Sequence, residues 1–230
     1  KEIFMERMNF ENINEFILTG PIVRKNVNDV ACNFTIKTQR MDMPNVTKEG
    51  DSSYYYPEIS FYGEQKDEIE NTYEPGDVVS IKAAIRPYRR ADRETSRTHA
   101  EFRFIGTMIK QAPKILMEEF GYDEGDFVDS ENKVRLGGTI SRISAPSANV
   151  LRVNIRTFID GHVDNIPTIL RDRNVGKYLE SLRVGDKVFA VGFLRTQRRR
   201  TEETAENAET GRTPSRHTRE TILKAICKAE

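Results

Sequence analysis

Tryptophan is absent, histidine occurs three times and cysteine twice in 230 residues. With no CxxC pair among so few ligands, a Cys/His zinc site has almost nothing to build on. Both cysteines, Cys32 and Cys227, fall in segments with a strand pattern, which predicts buried thiols in a reducing compartment rather than a disulfide framework. No apolar run approaches the ~18 residues of a membrane helix, and the opening KEIFMERMNFENINEF is too charged for a secretory signal. The expectation is a soluble, cytoplasmic protein with no membrane partner. An excess of charge of either sign is also missing, with 36 basic residues against 36 acidic ones. That excludes a wholly basic nucleic-acid coat while leaving local patches open. Phosphate-cradling loops, nucleophile elbows and HExxH are lacking too. The histidines His99 and His217 fall in turns, and the run from Asp160 through His162 to Asp164 reads as a turn, since its spacing matches no metal motif. Neither an enzyme nor a cofactor is expected.

What is present is a module written twice. Leu18–Arg24, LTGPIVR, returns as Leu136–Arg142, LGGTISR. Phe34–Arg40, FTIKTQR, is answered by Val153–Ile159, VNIRTFI, and Tyr73–Arg90, YEPGDVVSIKAAIRPYRR, by Leu182–Arg199, LRVGDKVFAVGFLRTQRR. Each copy closes with an alternating segment after a histidine, Ala100–Lys110 matching Thr218–Lys228. The order of blocks is preserved, so the repeat governs the reading of the fold.

Between the copies, Gln111–Asn132 carries seven acids against one lysine, plus Pro113, Gly121 and Gly125. It reads as a linker with a short helix at Lys114–Phe120. The predicted domains are therefore 1–113, an acidic linker at 114–131, and 132–230. Two polar insertions, Met41–Tyr55 in the first copy and Arg200–Arg216 in the second, read as surface loops.

Within each copy the period is two. Ile59 and Phe61 alternate with Glu58, Ser60 and Tyr62, and Val79, Ile81, Ala83 and Ile85 alternate with Ser80, Lys82, Ala84 and Arg86. One helical stretch per copy, Gly63–Tyr73 and Asp172–Leu182, precedes Pro-Gly-Asp or Val-Gly-Asp. The fold class is mostly β: three strands, a helix and two strands per copy is the order of an OB-fold, a five-stranded Greek-key barrel, here in tandem.

The stretch YPEISFYGEQKDEIENTYEPGDVVSIKAAIRPYRR resembles the second half of the bacterial and phage single-stranded DNA-binding proteins. There, an aromatic-led strand runs into a helix, a Gly-Asp turn, a basic hairpin and a last strand. Gly63, Gly76, Asp77 and Arg86 carry the likeness in the first copy, with Gly185, Asp186, Gly192 and Arg195 in the second. Two departures stand out: the module is doubled, and the sequence ends TILKAICKAE without the acidic tail that recruits partners in bacterial members. The resemblance implies a monomer doing a dimer's work, in the manner of a phage or mobile-element replication protein, with replication proteins as further partners.

Coating a strand without reading it needs cations for phosphates and flat rings for bases. On an OB-fold these sit on the outer side of strands two and three and on the hairpins at the rim. Burying Phe34 and Ile36 turns Thr35, Lys37 and Gln39 outward, and burying Val153 and Ile155 turns Arg152, Asn154, Arg156 and Phe158 outward. The third strand adds Tyr56 and Tyr62, with Tyr54 and Tyr55 just before it, while Phe61 takes the core phase. Phe189 and Phe193 fit an interdomain surface equally well. The basic hairpins supply Arg86, Arg89 and Arg90 around Tyr88, with Arg93 and Arg97 beyond, and Arg195, Arg198, Arg199 and Arg200 in the second copy. Arg contacts phosphate bidentately and stacks on bases. The expected phosphate ligands are Lys37, Arg86, Arg89, Arg90, Arg156, Arg195 and Arg198, and the expected stacking rings Tyr54, Tyr55, Tyr56, Tyr62, Tyr88 and Phe158. Single-stranded DNA is the expected partner, with RNA undistinguished by these features. An OB-fold scaffold binding another replication or DNA-transfer protein is the rival reading.

Overall fold

The computed structural model describes residues 13–39, 54–91, 98–112, 131–159, 161–173, 175–200 and 215–229. The proposed linker helix, the bulk of both polar insertions, Asp160, Arg93 and Arg97 lie outside them. So do the side chains of Arg89, Arg90, His99, Arg198, Arg199, Arg200 and His217, whose backbones lie within strands.

The chain is mostly β. In order come β1 (Ile13–Val27), β2 (Ala31–Ile36), β3 (Thr38–Gln39), β4 (Tyr54–Tyr55), β5 (Glu58–Tyr62), α1 (Glu64–Ile69), β6 (Val78–Ala91) and β7 (Thr98–Gln111). Then follow β8 (Glu131–Ser147), β9 (Val150–Ile159), β10 (His162–Arg171), α2 (Val175–Ser181), β11 (Lys187–Arg200) and β12 (Ser215–Lys228). Pairing runs β1-β2-β5-β7-β6 and closes through β1–β6; it runs β8-β9-β10-β12-β11 and closes through β11–β8. A closed five-stranded barrel of this kind is consistent with the OB-fold.

The two rings repeat at the level of single hydrogen-bonded partners. Ile22 faces Ile36 and Arg24 faces Thr35 across a bulge; Ile140 faces Ile155 and Arg142 faces Asn154 across another. Ile59 lies beside Phe104, and Thr168 beside Thr221, in the one parallel pairing of each ring. The registers also correct the alignment of the final strands. Arg89 faces Ala100, whereas Arg198 faces His217, so His217 stands at the place of Ala100 and not of His99.

Alternation decides the core. Phe16, Leu18, Phe34, Ile36, Ile59, Phe61, Ile81 and Ile85 are buried in the first ring, and Leu136, Leu151, Val153, Ile155 and Leu194 in the second. Phe61 leaves no room beside it: a Cβ on Gly106 would lie 2.2 Å from its ring. Cys32 is buried, and burial pushes its thiol pKa up; Cys227 is exposed, because on β12 the inward place is taken by Ile226. Tyr54 and Tyr55, placed by sequence at the end of a loop, instead pair with Thr38 and Gln39 as a short second ladder.

The rings join through their first strands. Ile13–Thr19 of β1 runs antiparallel to Glu131–Gly137 of β8, with Phe16 opposite Val134. Phe16 and Val134 occupy matched places in the repeat, so the ladder is centred on a pseudo-twofold axis, an isologous contact written into one chain. β8 starts at Glu131, the last residue assigned to the linker by sequence. Among the described residues no helix is long and apolar enough to cross a membrane.

Candidate nucleic-acid interface

The outer faces of β2/β5 and β9 follow the expected strand phase. In the second ring, Arg152, Arg156 and Phe158 are exposed on β9, and Phe158 stands opposite Val163 with Arg156 opposite Asn165. Phe158 is 54% and Val163 63% exposed, a large apolar pair on a polar surface. In the first ring the matching places are held by Lys37, Tyr54 and Tyr56. Thr38 pairs with Tyr55 as Thr157 pairs with Asp164, which puts Gln39 and Tyr54 where Phe158 and Val163 stand. Each ring thus carries one aromatic side chain at the same cross-strand pair, on opposite strands, beside a cation.

In the first ring the contact is direct. The Lys37 ammonium lies 4.0 Å from the centre of the Tyr54 ring, close enough for a cation–π interaction. Both side chains are half-buried, as is Tyr56. A glycine beneath each cation explains how β1 and β8 come so near. A Cβ on Gly20 would lie 2.2 Å from the Lys37 carbonyl oxygen, and one on Gly138 the same 2.2 Å from that of Arg156. The Lys37 N–H donates to the Pro21 carbonyl at 3.0 Å there. Only a residue without a side chain permits that approach.

Other expected ligands are placed differently. Tyr55, 2% exposed, packs with Phe193 and Ile222 of the other ring, with Ile169 against them. Its ring is not presented to a base, because alternation turns it away from Tyr54 and Tyr56. Phe193 therefore does line the surface between the rings, with Lys224 5.6 Å from its centre. Arg86 forms an ion pair with Asp164 across the rings. Arg195 binds Glu220 at 2.8 Å within its own ring. Both guanidiniums are engaged by carboxylates.

Tyr62 ends β5 half-buried, opposite Ala31. Tyr88 lies on the long β6/β7 arm with the Arg103 guanidinium 4.6 Å from its ring centre. Arg89 and Arg90 continue that arm opposite Ala100 and His99, and Arg198 continues the β11/β12 arm opposite His217. The basic hairpins are thus extended strand pairs that outrun the rings.

Sequence reasoning did not single out Val163, Arg103 or Asn14, and it placed Asp164 in a turn, whereas β10 begins at His162 and pairs Asp164 with Thr157. Val163 was legible as the outward phase of HVDNIPTILR. Asp164 and Asn14 were not, since their partners lie 78 and 71 residues away in the chain. Among the described residues no group of three His, Cys, Asp or Glu side chains is placed to hold a metal.

No family profile and no curated protein matches the chain. Solved structures do: a deletion variant of the single-stranded DNA-binding protein from Thermus aquaticus superposes with a TM-score of 0.62 at 12% identity, covering 96% of each chain. The wild-type form of that protein gives 0.60 at 12% identity, over 96% of this chain and 94% of the other. At this identity the likeness is one of fold, and it extends over both rings.

Proposed function

We propose that the chain binds single-stranded nucleic acid, DNA in the first instance, with little sequence preference, as two tandem OB-folds at 1–113 and 132–230 joined by 114–131. Its setting is replication or recombination, that of a phage or mobile element by analogy, and it acts as a binding protein without catalysis. The observation that carries the reading is the matched platform: Lys37 with Tyr54 and Tyr56 in one ring, Arg156 with Phe158 and Val163 in the other, on the face where OB-folds hold oligonucleotides. A ring accepts any base on its face, and a neighbouring cation holds the phosphate without reading sequence. The fold shared with the Thermus aquaticus protein supports the architecture.

Phosphate contacts are read from salt dependence. With Lys37 and Arg156 on the faces and Arg89, Arg90 and Arg198 on the arms, ~4 to 6 contacts give a slope of log affinity against log salt of roughly −3 to −4. Fluorescence titration with oligothymidine at graded salt measures it, and competition by oligouridine sets the DNA preference. A slope near zero would overturn the proposal.

A further inference from the structure

We infer that Arg86 and Asp164 are positioning residues that set how the two binding faces are presented to one strand, and that Arg86 is not a phosphate ligand. This rests on the nucleic-acid reading above. Asp164, 6% exposed, belongs to β10 of the second ring, yet its carboxylate is met by two groups of the first ring. One is the Arg86 guanidinium from β6; the other is the Asn14 side-chain amide from β1, at 3.4 Å. Asn14 is itself fixed, donating to the Ile85 carbonyl and accepting from the Ile85 N–H, both at 2.9 Å. A carboxylate so buried needs a cation and donors, so the pair holds the seam closed at this point.

The pseudo-twofold axis shows that this is a made contact. The place matching Asp164 in the first ring is Tyr55, and the place matching Arg86 in the second is Arg195. Arg195 turns to Glu220 of its own ring, and Tyr55 lays its ring on Phe193 and Ile222 across the seam. Both sides of the β1–β8 ladder are therefore clasped, one by charge and one by apolar packing. Both clasps also sit inside a platform. Asp164 lies between Val163 and Asn165, and Tyr55 between Tyr54 and Tyr56. By the two-residue alternation of a strand, each platform faces outward with its neighbours while the residue between them grips the opposite ring. The clasps hold each platform at a set angle to the other.

The test uses the full chain with Arg86→Gln, Asp164→Asn, and the double variant Arg86→Met with Asp164→Leu, which replaces the pair by apolar groups of similar size. Affinity and salt slope are measured for oligothymidines of ~8 and ~32 nucleotides, below and above the span of two barrels. Positioning predicts that both single variants lose about tenfold or more on the long strand, where both faces engage together, and stay within about twofold on the short one, with its salt slope unchanged. The double variant, expected to fold even where a single one does not, keeps the short-strand slope. A phosphate ligand predicts otherwise: any variant lacking Arg86, the double included, lowers the slope by about 0.7, and Asp164→Asn, by releasing Arg86, tightens binding. Either of those results overturns the assignment. Failure of the unaltered chain to bind either strand overturns the nucleic-acid reading and this inference together.

Discussion

The Gly-Asp turn on which the sequence resemblance rests is a device of the fold and not of the binding face. The Asp77 carboxylate accepts the Glu74 N–H at 2.8 Å, and that of Asp186 accepts the Arg183 N–H at 2.7 Å. The intervening Gly76 and Gly185 take φ of 98° and 94°, where side chains are strained, and their N–H groups donate to Ile22 and Ile140. Gly185→Ala is therefore expected to lower stability by about 1 to 3 kcal/mol, read by thermal melting. The Arg183 N–H, then Lys228, holds the Asp186 carboxyl below its usual pKa. A depressed folded value means stability that is present above the ordinary carboxylate pKa and lost as pH falls through the lowered one. Asp186→Ala should melt below the unaltered chain near neutral pH, with the difference closing in acid; a gap that persists there would assign the loss to packing. On the binding faces, Phe158→Ala and Tyr54→Ala should each weaken oligothymidine binding by about 1 to 3 kcal/mol, with the melting temperature nearly unchanged for Phe158→Ala, whose ring is largely exposed. Equal loss of folding and binding would make these rings packing residues.

Elements were the most legible scale. Period-two alternation marks the phase of β2, β5, β9 and the ring portions of β6 and β11, because one face of each is buried and a slip of one residue would expose the core. What escapes alternation is how strands are fixed end to end. Asn14 brackets Ile85, and Asn132 brackets Leu194, donating to its carbonyl at 2.8 Å and accepting its N–H at 2.9 Å. Both asparagines are buried and both occupy matched places, so each ring fastens its first strand to its fourth beyond the reach of the regular ladder. Asn132→Ala should leave a buried N–H and a buried carbonyl without partners, costing about 1 to 3 kcal/mol for each. Urea unfolding measures it; a change under half a kcal/mol would indicate that water reaches the strand. β4 falls in a segment that reads as loop, because tyrosines after a polar run carry no alternation to read, while its partner β3 lies within the Phe34–Arg40 strand pattern.

At the scale of the molecule, the β1–β8 ladder decides whether two modules act as one. Cut apart, each ring would expose a strand edge, Ile13–Thr19 or Glu131–Gly137, with unpaired backbone groups that favour pairing. Residues 13–112 and 131–229, produced separately and mixed, are therefore expected to reassociate, and light scattering should show the pair. Halves that stay apart would mean that the covalent connection, not the ladder, holds them together. Within the intact chain, affinity should jump once an oligonucleotide spans both faces, at ~10 to 20 nucleotides, because the second contact then forms at the effective concentration set by the first.

The duplication, the strand phases, the outward cations Lys37 and Arg156 and the exposed ring of Phe158 follow from local pattern, since burial on one face of a strand leaves its imprint every second residue. Tertiary structure alone decides which partner each outward group meets. Arg86 and Arg195 look alike in the sequence, each in the same repeated block, yet one reaches across the seam to Asp164 and the other folds back to Glu220. Tyr55 sits in a run of three tyrosines and is taken into the interface. These assignments depend on a partner 78 residues away for Arg86 and on the neighbouring ring for Tyr55, and strand periodicity carries no information about partners at that distance.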